Sequence, residues 1–162
     1  MSSKAVCILT AGSGTRMGAL GKCLNKALFP LAKKATISHI IEKFPADTEF
    51  VIGLGYLAEQ VRTYLRIAHP DTKFKFVEIE NWQGAGSGPG HSLYCCREHL
   101  QRPFYFISCD TIWEGDLPLF TDRDWLGVGE VPEEESQHFC NFQIENGRVV
   151  AIKDKQRVPS LN

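Results

Sequence analysis

Hydrophobic and polar positions along this chain follow two alternating periods, which predicts strands that are followed by helices. Strands are expected where apolar, β-branched or aromatic residues run together, and helices where apolar residues recur every three or four positions. The predicted strands are residues 5–9, 50–54, 74–79 and 104–107, and the predicted helices are residues 36–44, 57–68 and 92–100. This alternation is typical of α/β folds with a mostly parallel sheet.

Local signals mark where some of these elements begin and end. Thr36 is the predicted N-cap of the first helix, and Pro45 follows its last turn. Beyond the fourth strand the periodicity weakens, and further strands are expected at residues 125–131, 139–144 and 148–152. The pair Asn146-Gly147 predicts a tight hairpin turn between the last two strands.

A glycine-rich loop follows the first strand directly. Ligands of open α/β sheets bind at the carboxyl ends of the strands, and glycines let successive backbone N–H groups surround an anion. Arg16 closes the loop and Lys26 follows ten residues later, so two positive charges accompany it. The sequence therefore predicts a triphosphate site, and its loop residues are Ala11, Gly12, Ser13, Gly14 and Thr15.

Two better-known phosphate loops do not fit this segment. The dinucleotide-binding fingerprint requires G-x-G-x-x-G, whereas the third glycine here is Gly18, one position too late. The Walker A loop requires serine or threonine after its glycine-lysine pair, but Cys23 follows Gly21-Lys22. An ordinary glycine-rich turn between a strand and a helix stays open as the structural alternative.

Two further segments are expected at the same edge of the sheet. Residues 80–90 contain four glycines, which let the flat face of another molecule lie close to the backbone; the alternative is a flexible surface loop. Asp110 comes just after the fourth predicted strand. Its carboxylate oxygens suit Mg²⁺, and helix capping is the alternative role.

The motifs LTAGSGTRMG at residues 9–18 and NKALFPL at residues 25–31 resemble the opening signature of the nucleotidyltransferase superfamily. This superfamily includes the sugar-1-phosphate nucleotidylyltransferases and the small cytidylyltransferases, and its signature commonly reads LAAGxGTRM and then PKxLxPL. Thr10 replaces an alanine of the signature and Asn25 replaces a proline. Neither change removes a charged group, but the loss of the proline predicts a less rigid backbone at Lys26.

The resemblance implies a fold, a reaction and a role for each motif. The fold is a Rossmann-like three-layer sandwich of the nucleotide-diphospho-sugar transferase type. The reaction moves NMP from an NTP to a phosphorylated small molecule, such as a sugar 1-phosphate for capsule or envelope polysaccharide, and releases pyrophosphate. Arg16 and Lys26 are the implied catalytic residues, and Asp110 is the implied ligand of Mg²⁺. The implied base-reading residues are Asn81, Gln83, Gly86 and Ser87.

The resemblance favours CTP or UTP through the short loop at residues 18–25, and leaves the acceptor open. Within one domain over residues 1–162, it assigns residues 1–112 to nucleotide binding and residues 113–162 to part of an acceptor-binding region. A second metal-binding Asp or Asn is expected beyond this segment, so we expect a C-terminally incomplete domain. A non-catalytic NTP-binding or regulatory module is therefore the alternative function.

Composition narrows the partners and the compartment. The net charge of −1 argues against a nucleic-acid partner, which needs a basic face, and no apolar run approaches the ~20 residues of a membrane span. The six cysteines contain no C-x-x-C pair, which favours free thiols in a cytoplasmic protein. The expected partners are an NTP and a phosphorylated acceptor, and a homo-oligomer stays open.

Overall fold

The computed structural model describes residues 5–118 and 121–156, which divide into two compact units after Thr121. The first unit contains three α-helices and six strands. The strands are β1 (Ala5–Leu9), β2 (Pro30–Leu31), β3 (Lys34–Ala35), β4 (Glu49–Leu54), β5 (Lys73–Glu78) and β6 (Phe104–Ser108). The helices are α1 (Thr36–Ile41), α2 (Ala58–Ala68) and α3 (Pro89–Cys95).

Four of these strands form a parallel sheet in the order β5-β4-β1-β6. From β1 the chain first adds β4 and β5 on one side and then returns to add β6 on the other side. The direction in which strands are added therefore reverses between β1 and β6. The register pairs Leu9 with Gly53 on one side and with Ser108 on the other. Three carboxyl ends therefore lie side by side at the point where open α/β sheets bind ligands.

Helices cover both faces of the sheet. Successive strand residues point to opposite sides, so a strand that is apolar throughout needs packing partners on each face. Val6 and Ile8 belong to a large core with Ile37 and Ile40 of α1 and with residues of α2. Cys7 belongs to a second core, against which Leu93 of α3 packs. The predicted three-layer α/β sandwich with a mostly parallel sheet is confirmed.

Some predicted helix boundaries are wrong. Thr36 is the first helical residue rather than the N-cap, which is Ala35, and its hydroxyl donates to the carbonyl of Phe29 at 2.9 Å. The helix predicted up to residue 44 ends at Ile41, and the one predicted over residues 92–100 is α3 followed by a 3₁₀ turn (Arg97–His99). No helix in the described ranges is long and apolar enough to cross a membrane.

The second unit contains a β-hairpin of β7 (Cys140–Glu145) and β8 (Arg148–Asp154). Its turn is the predicted one, since Asn146 and Gly147 have φ values of 50° and 72°. The strand predicted at residues 125–131 is wrong, because that segment forms no regular element. A strand needs a partner, and β7 with β8 is the only pairing among the described residues of this unit.

A partly buried polar cluster joins α1 to the end of α2. The Ser38 Oγ lies 2.8 Å from the Tyr64 hydroxyl and 2.7 Å from His69 Nε2. Burial lowers the pKa of His69; the negative charge of Glu42 opposes this shift and the positive charge of Lys34 adds to it. The folded chain therefore favours a neutral imidazole at this joint.

We predict that the chain loses stability in mild acid because of His69. The lowered pKa of His69 means that the unfolded chain binds the proton first, so the stabilisation is complete above about pH 6.5 and decreases as the pH falls further. Thermal unfolding of the wild type and of His69→Asn at about pH 7.5 and about pH 5.5 measures this effect. The variant should lose less of its melting temperature in acid, and an equal loss in both proteins would contradict the prediction.

Candidate functional site

A pocket of about 620 Å³ lies in the first unit and is lined by residues that follow β1 and β6. It includes three of the expected features, namely the glycine loop, Lys26 and Asp110. Its lining residues are Gly14, Thr15, Arg16, Met17, Lys26, Phe29, Leu31, Thr36, Asp110 and Ile112. Ala11, Gly12 and Ser13 precede this lining and are not part of it.

The glycine loop turns sharply at Gly14, where φ is +61°. Glycine adopts this conformation without strain, and a Cβ there would lie 3.2 Å from the Met17 sulfur and 3.5 Å from the Lys26 Cβ. Backbone amides 12–16 donate to no acceptor within residues 5–118 and 121–156. These N–H groups are therefore available to bind an anion, and those of residues 14–16 belong to pocket-lining residues.

Lys26 and Asp110 meet across the pocket. The Lys26 Nζ donates to the Asp110 Oδ2 at 3.0 Å, although the two residues are 84 positions apart in the chain. The Ser108 hydroxyl donates to the other carboxylate oxygen. Partial burial would raise the pKa of Asp110, but the hydrogen bonds from Ser108 and Lys26 and the charge of Lys26 outweigh it and lower the pKa. Asp110 is therefore a carboxylate at neutral pH.

The donor set around Asp110 fits a magnesium ion that is shared with a phosphate. Burial raises the pKa of the adjacent Cys109 thiol to about 12, so this thiol stays protonated and provides no anionic ligand. Across the described ranges, no group of three or more His, Cys, Asp or Glu side chains could hold a metal. Mg²⁺ suits such a site, because it is commonly bound by one or two carboxylates together with substrate phosphates and water.

Asn25, which replaces the proline of the signature, holds the backbone at Lys26 by hydrogen bonds. Asn25 is fully buried, and its Nδ2 donates to the carbonyls of Thr10 at 2.9 Å and Tyr56 at 2.6 Å. Its Oδ1 accepts from the Ala27 amide at 2.9 Å. Thr10, the other departure from the signature, donates its hydroxyl to the Gly53 carbonyl at 2.9 Å. Both residues that depart from the signature are therefore hydrogen-bonded to backbone groups near the glycine loop.

The second glycine-rich loop is anchored beside the first one. The Trp82 ring packs on Tyr56, with 5.5 Å between ring centroids. A Cβ at Gly55 would lie 2.8 Å from the Ala11 Cβ and 2.8 Å from the Trp82 Cβ, so both loops approach this glycine. The predicted base-reading residues Asn81, Gln83, Gly86 and Ser87 do not line the pocket, and the Ser87 hydroxyl donates within the loop to the Gly84 carbonyl at 2.7 Å.

An apolar wall of the pocket was not predicted from the sequence. Phe29, Leu31 and Ile112 line it and keep 40%, 42% and 45% of their surface exposed. The motif residues 25–31 marked this segment, but a hairpin of two-residue strands has no periodicity that shows which side chains face a cavity. Met17 and Thr36 complete the set that sequence reasoning missed.

A model of the MobA-like NTP transferase domain matches residues 6–120. Bifunctional protein GlmU of Methanocaldococcus jannaschii is 30% identical over 158 residues, which cover 96% of this chain and 36% of the relative. The GlmU protein of Burkholderia mallei is 36% identical over 117 residues, which cover 70% of this chain and 22% of the relative. The chain thus spans about a third or less of the length of these curated relatives.

Solved structures share the fold. A Bacillus anthracis protein described as a glucose-1-phosphate thymidylyltransferase superposes with a TM-score of 0.73 at 20% identity, covering 97% of this chain and 66% of its own. The CTP:phosphocholine cytidylyltransferase of Streptococcus pneumoniae has a TM-score of 0.50 at 29% identity, covering 67% of this chain and 45% of its own.

We predict that Gly55→Ala separates the two glycine-rich loops. The added Cβ would lie within 2.8 Å of Ala11 and Trp82, so the backbone must shift, at a cost of about 1–3 kcal/mol for an overpacked site. Gly90→Ala is the matched control, because a Cβ there meets nothing within 4 Å and α3 gains a better helix former. Chemical denaturation measures both variants, and equal stability of Gly55→Ala and the wild type would contradict the prediction.

Proposed function

Because the chain belongs to the family of MobA-like NTP transferase domains, we propose that it serves a nucleotidylyltransferase reaction. In this reaction a nucleoside monophosphate passes from an NTP to a phosphorylated small molecule, and pyrophosphate is released. We propose CTP or UTP as the donor and a sugar 1-phosphate as the acceptor. Residues 1–112 would provide the nucleotide-binding part of the active site, and residues 113–162 part of its acceptor-binding region.

One observation carries the proposal: polar groups from three segments of the chain converge on one pocket. The glycine loop, Arg16, Lys26 and Asp110 all line it, and Lys26 lies 3.0 Å from Asp110. Free amides and two cations suit a polyphosphate, while a carboxylate among them would repel one unless a metal ion intervened. This combination favours a triphosphate with Mg²⁺ over a simple anion.

The reaction needs alignment and charge neutralisation rather than a covalent intermediate. An acceptor phosphate oxygen attacks the α-phosphorus. The bond from the α-phosphorus to the oxygen that bridges it to the β-phosphorus breaks, and pyrophosphate leaves with both electrons of that bond. Amides of the glycine loop would hold the phosphates, Arg16 would neutralise the leaving pyrophosphate, and Lys26 the charge at the α-phosphoryl group. Mg²⁺ held by Asp110 would offset the charge of the phosphate oxygens.

One structural neighbour supports CTP as the donor and a phosphorylated small molecule as the acceptor, and the pocket offers an apolar wall to such substrates. The pneumococcal neighbour, at 29% identity, is named for CTP and phosphocholine, a phosphorylated small molecule. The half-exposed wall of Phe29, Leu31 and Ile112 offers contact to the less polar part of an acceptor or nucleoside. A phospho-alcohol acceptor is therefore assayed beside the sugar 1-phosphates.

We predict that Lys26→Ala keeps the fold and loses turnover. The Lys26 side chain is 25% exposed and its ion pair lies at the surface, so its removal should change stability by about 1 kcal/mol or less. Loss of a charge that stabilises the transition state typically costs about 10²–10³ in kcat. Lys73→Ala is the control, since Lys73 begins β5 at the opposite edge of the sheet. A pyrophosphate-release assay on the full-length polypeptide measures both, and wild-type turnover in Lys26→Ala would remove this lysine from the mechanism.

The proposed function itself is tested by ligand binding and product release. Thermal-shift titrations with each of four NTPs, with and without Mg²⁺, should raise the melting temperature most for CTP or UTP with Mg²⁺. Pyrophosphate release is then measured with sugar 1-phosphates and phosphocholine. Binding without release in the full-length polypeptide would favour a regulatory module, and no shift with any NTP would contradict nucleotide binding.

A further inference from the structure

We infer that Asn25 is a positioning residue of this site, which acts on the reaction through Lys26. In this chain it replaces the proline of the superfamily signature and links three segments by hydrogen bonds. The catalytic part of this inference rests on the proposed function, since it concerns the lysine assigned to the transferred phosphoryl group. The structural part of the inference, that Asn25 holds the turn which carries Lys26, rests on the structure alone.

The Asn25 side chain connects the turn that carries Lys26 to the ends of two strands. Its Nδ2 donates to Thr10, which follows β1, and to Tyr56, which follows β4. Its Oδ1 caps the 3₁₀ turn (Lys26–Leu28) by accepting from the Ala27 amide. The residue has no exposed surface, so loss of this side chain would leave buried polar groups without partners.

Helix α2 holds the same backbone from the other side. The Gln60 Oε1 accepts from the Asn25 amide at 3.1 Å, and the Gln60 Nε2 donates to the Cys23 carbonyl at 2.8 Å. One side-chain amide thus binds two backbone groups that flank Leu24. A proline at position 25 has no N–H group and would leave Gln60 Oε1 without this donor.

The backbone conformation alone does not require asparagine at this position. Asn25 has φ −65° and ψ 137°, and a proline ring fixes φ near the same value. The signature proline is therefore compatible with the local geometry. Asparagine lacks the rigid ring, but its side chain bonds directly to the segments that follow β1 and β4, and the first of these leads into the glycine loop.

These bonds matter because Lys26 lies against the glycine loop as well as against Asp110. A Cβ at Gly14 would be 3.5 Å from the Lys26 Cβ, and the ammonium group is 3.0 Å from the carboxylate. A movement of the turn would displace the lysine from both partners at once. Displacements of about 1 Å can reduce a rate by about 10²-fold.

The catalytic test compares Asn25→Ala, Asn25→Pro and Ser38→Ala, each made in the full-length polypeptide. Ser38→Ala removes a buried hydrogen-bonded group outside the pocket and serves as the stability control. At a temperature where all variants are folded, kcat for pyrophosphate release should fall by about 10- to 100-fold in Asn25→Ala, while KM for the NTP changes by less than about threefold. The kcat of Asn25→Pro should lie between those of Asn25→Ala and the wild type, and Ser38→Ala should retain the wild-type kcat.

A second experiment, which does not depend on enzyme activity, measures amide hydrogen exchange in the same proteins. In Asn25→Ala we expect faster exchange of the hydrogen-bonded amides of Met17, Leu28 and Tyr56 than in Ser38→Ala, which should affect α1 and α2 instead. Wild-type exchange of these three amides in Asn25→Ala, or wild-type kcat in either Asn25 variant, would overturn the inference. If the full-length wild type itself releases no pyrophosphate, the proposed function fails, and the hydrogen exchange alone then tests whether Asn25 holds the turn in place.

Discussion

The in-register parallel pairing of β1 with β4 and β6 is the constraint on which the site depends. Leu9, Gly53 and Ser108 lie at one level, so the segments that follow them leave the sheet side by side. Asp110 comes two residues after Ser108, and Ala11 two residues after Leu9. A slip of one residue between β1 and β6 would move the carboxylate by about 3.3 Å and turn alternate side chains to the wrong face. The pairing of strands therefore determines the separation of the charges.

A second kind of constraint begins where the strands end. The strand pairings end at Leu9 and Leu54. Beyond them, a backbone hydrogen bond from the Tyr56 amide to the Ala11 carbonyl at 2.9 Å and several polar side chains hold the segments that follow. Asn25 bonds to both of these segments, Gln60 clamps the backbone before Lys26, and the Tyr56 hydroxyl donates to the Lys22 carbonyl at 3.1 Å. The Asn25 bonds satisfy buried or partly buried backbone carbonyls that would otherwise lose water without replacement, whereas the bonds to the Lys22 and Cys23 carbonyls are exposed. The loops are thus ordered by the same requirement that forms the sheet.

The sheet and the charged residues of the site could be predicted from the sequence, because each depends on local patterns. Apolar runs give parallel strands, and a glycine loop or an aspartate after such a run must lie at the carboxyl edge. The position of Asn25 could not be predicted, since its partners Thr10 and Tyr56 are 15 and 31 positions away. The segment at 125–131 failed for a related reason: its pattern resembles a strand, but pairing depends on a distant partner. Asn81 and Gln83 lie on a loop whose path no periodicity encodes.

The two sets of polar contacts contribute differently to stability. Lys26 and Asp110 keep 25% and 50% of their side-chain surface, so their ion pair is screened by water and contributes about 1 kcal/mol or less. Asn25 is fully buried, and loss of a buried hydrogen-bonding partner costs about 1–3 kcal/mol for each group left unpaired. The stability of the fold therefore depends little on the charges that would meet a nucleotide, and much on the asparagine that sets their positions. A substitution at Lys26 can therefore change turnover without changing stability, whereas one at Asn25 must change both. For Asn25, the effect on catalysis is distinguished from the effect on folding only by comparing kcat with hydrogen exchange near the site.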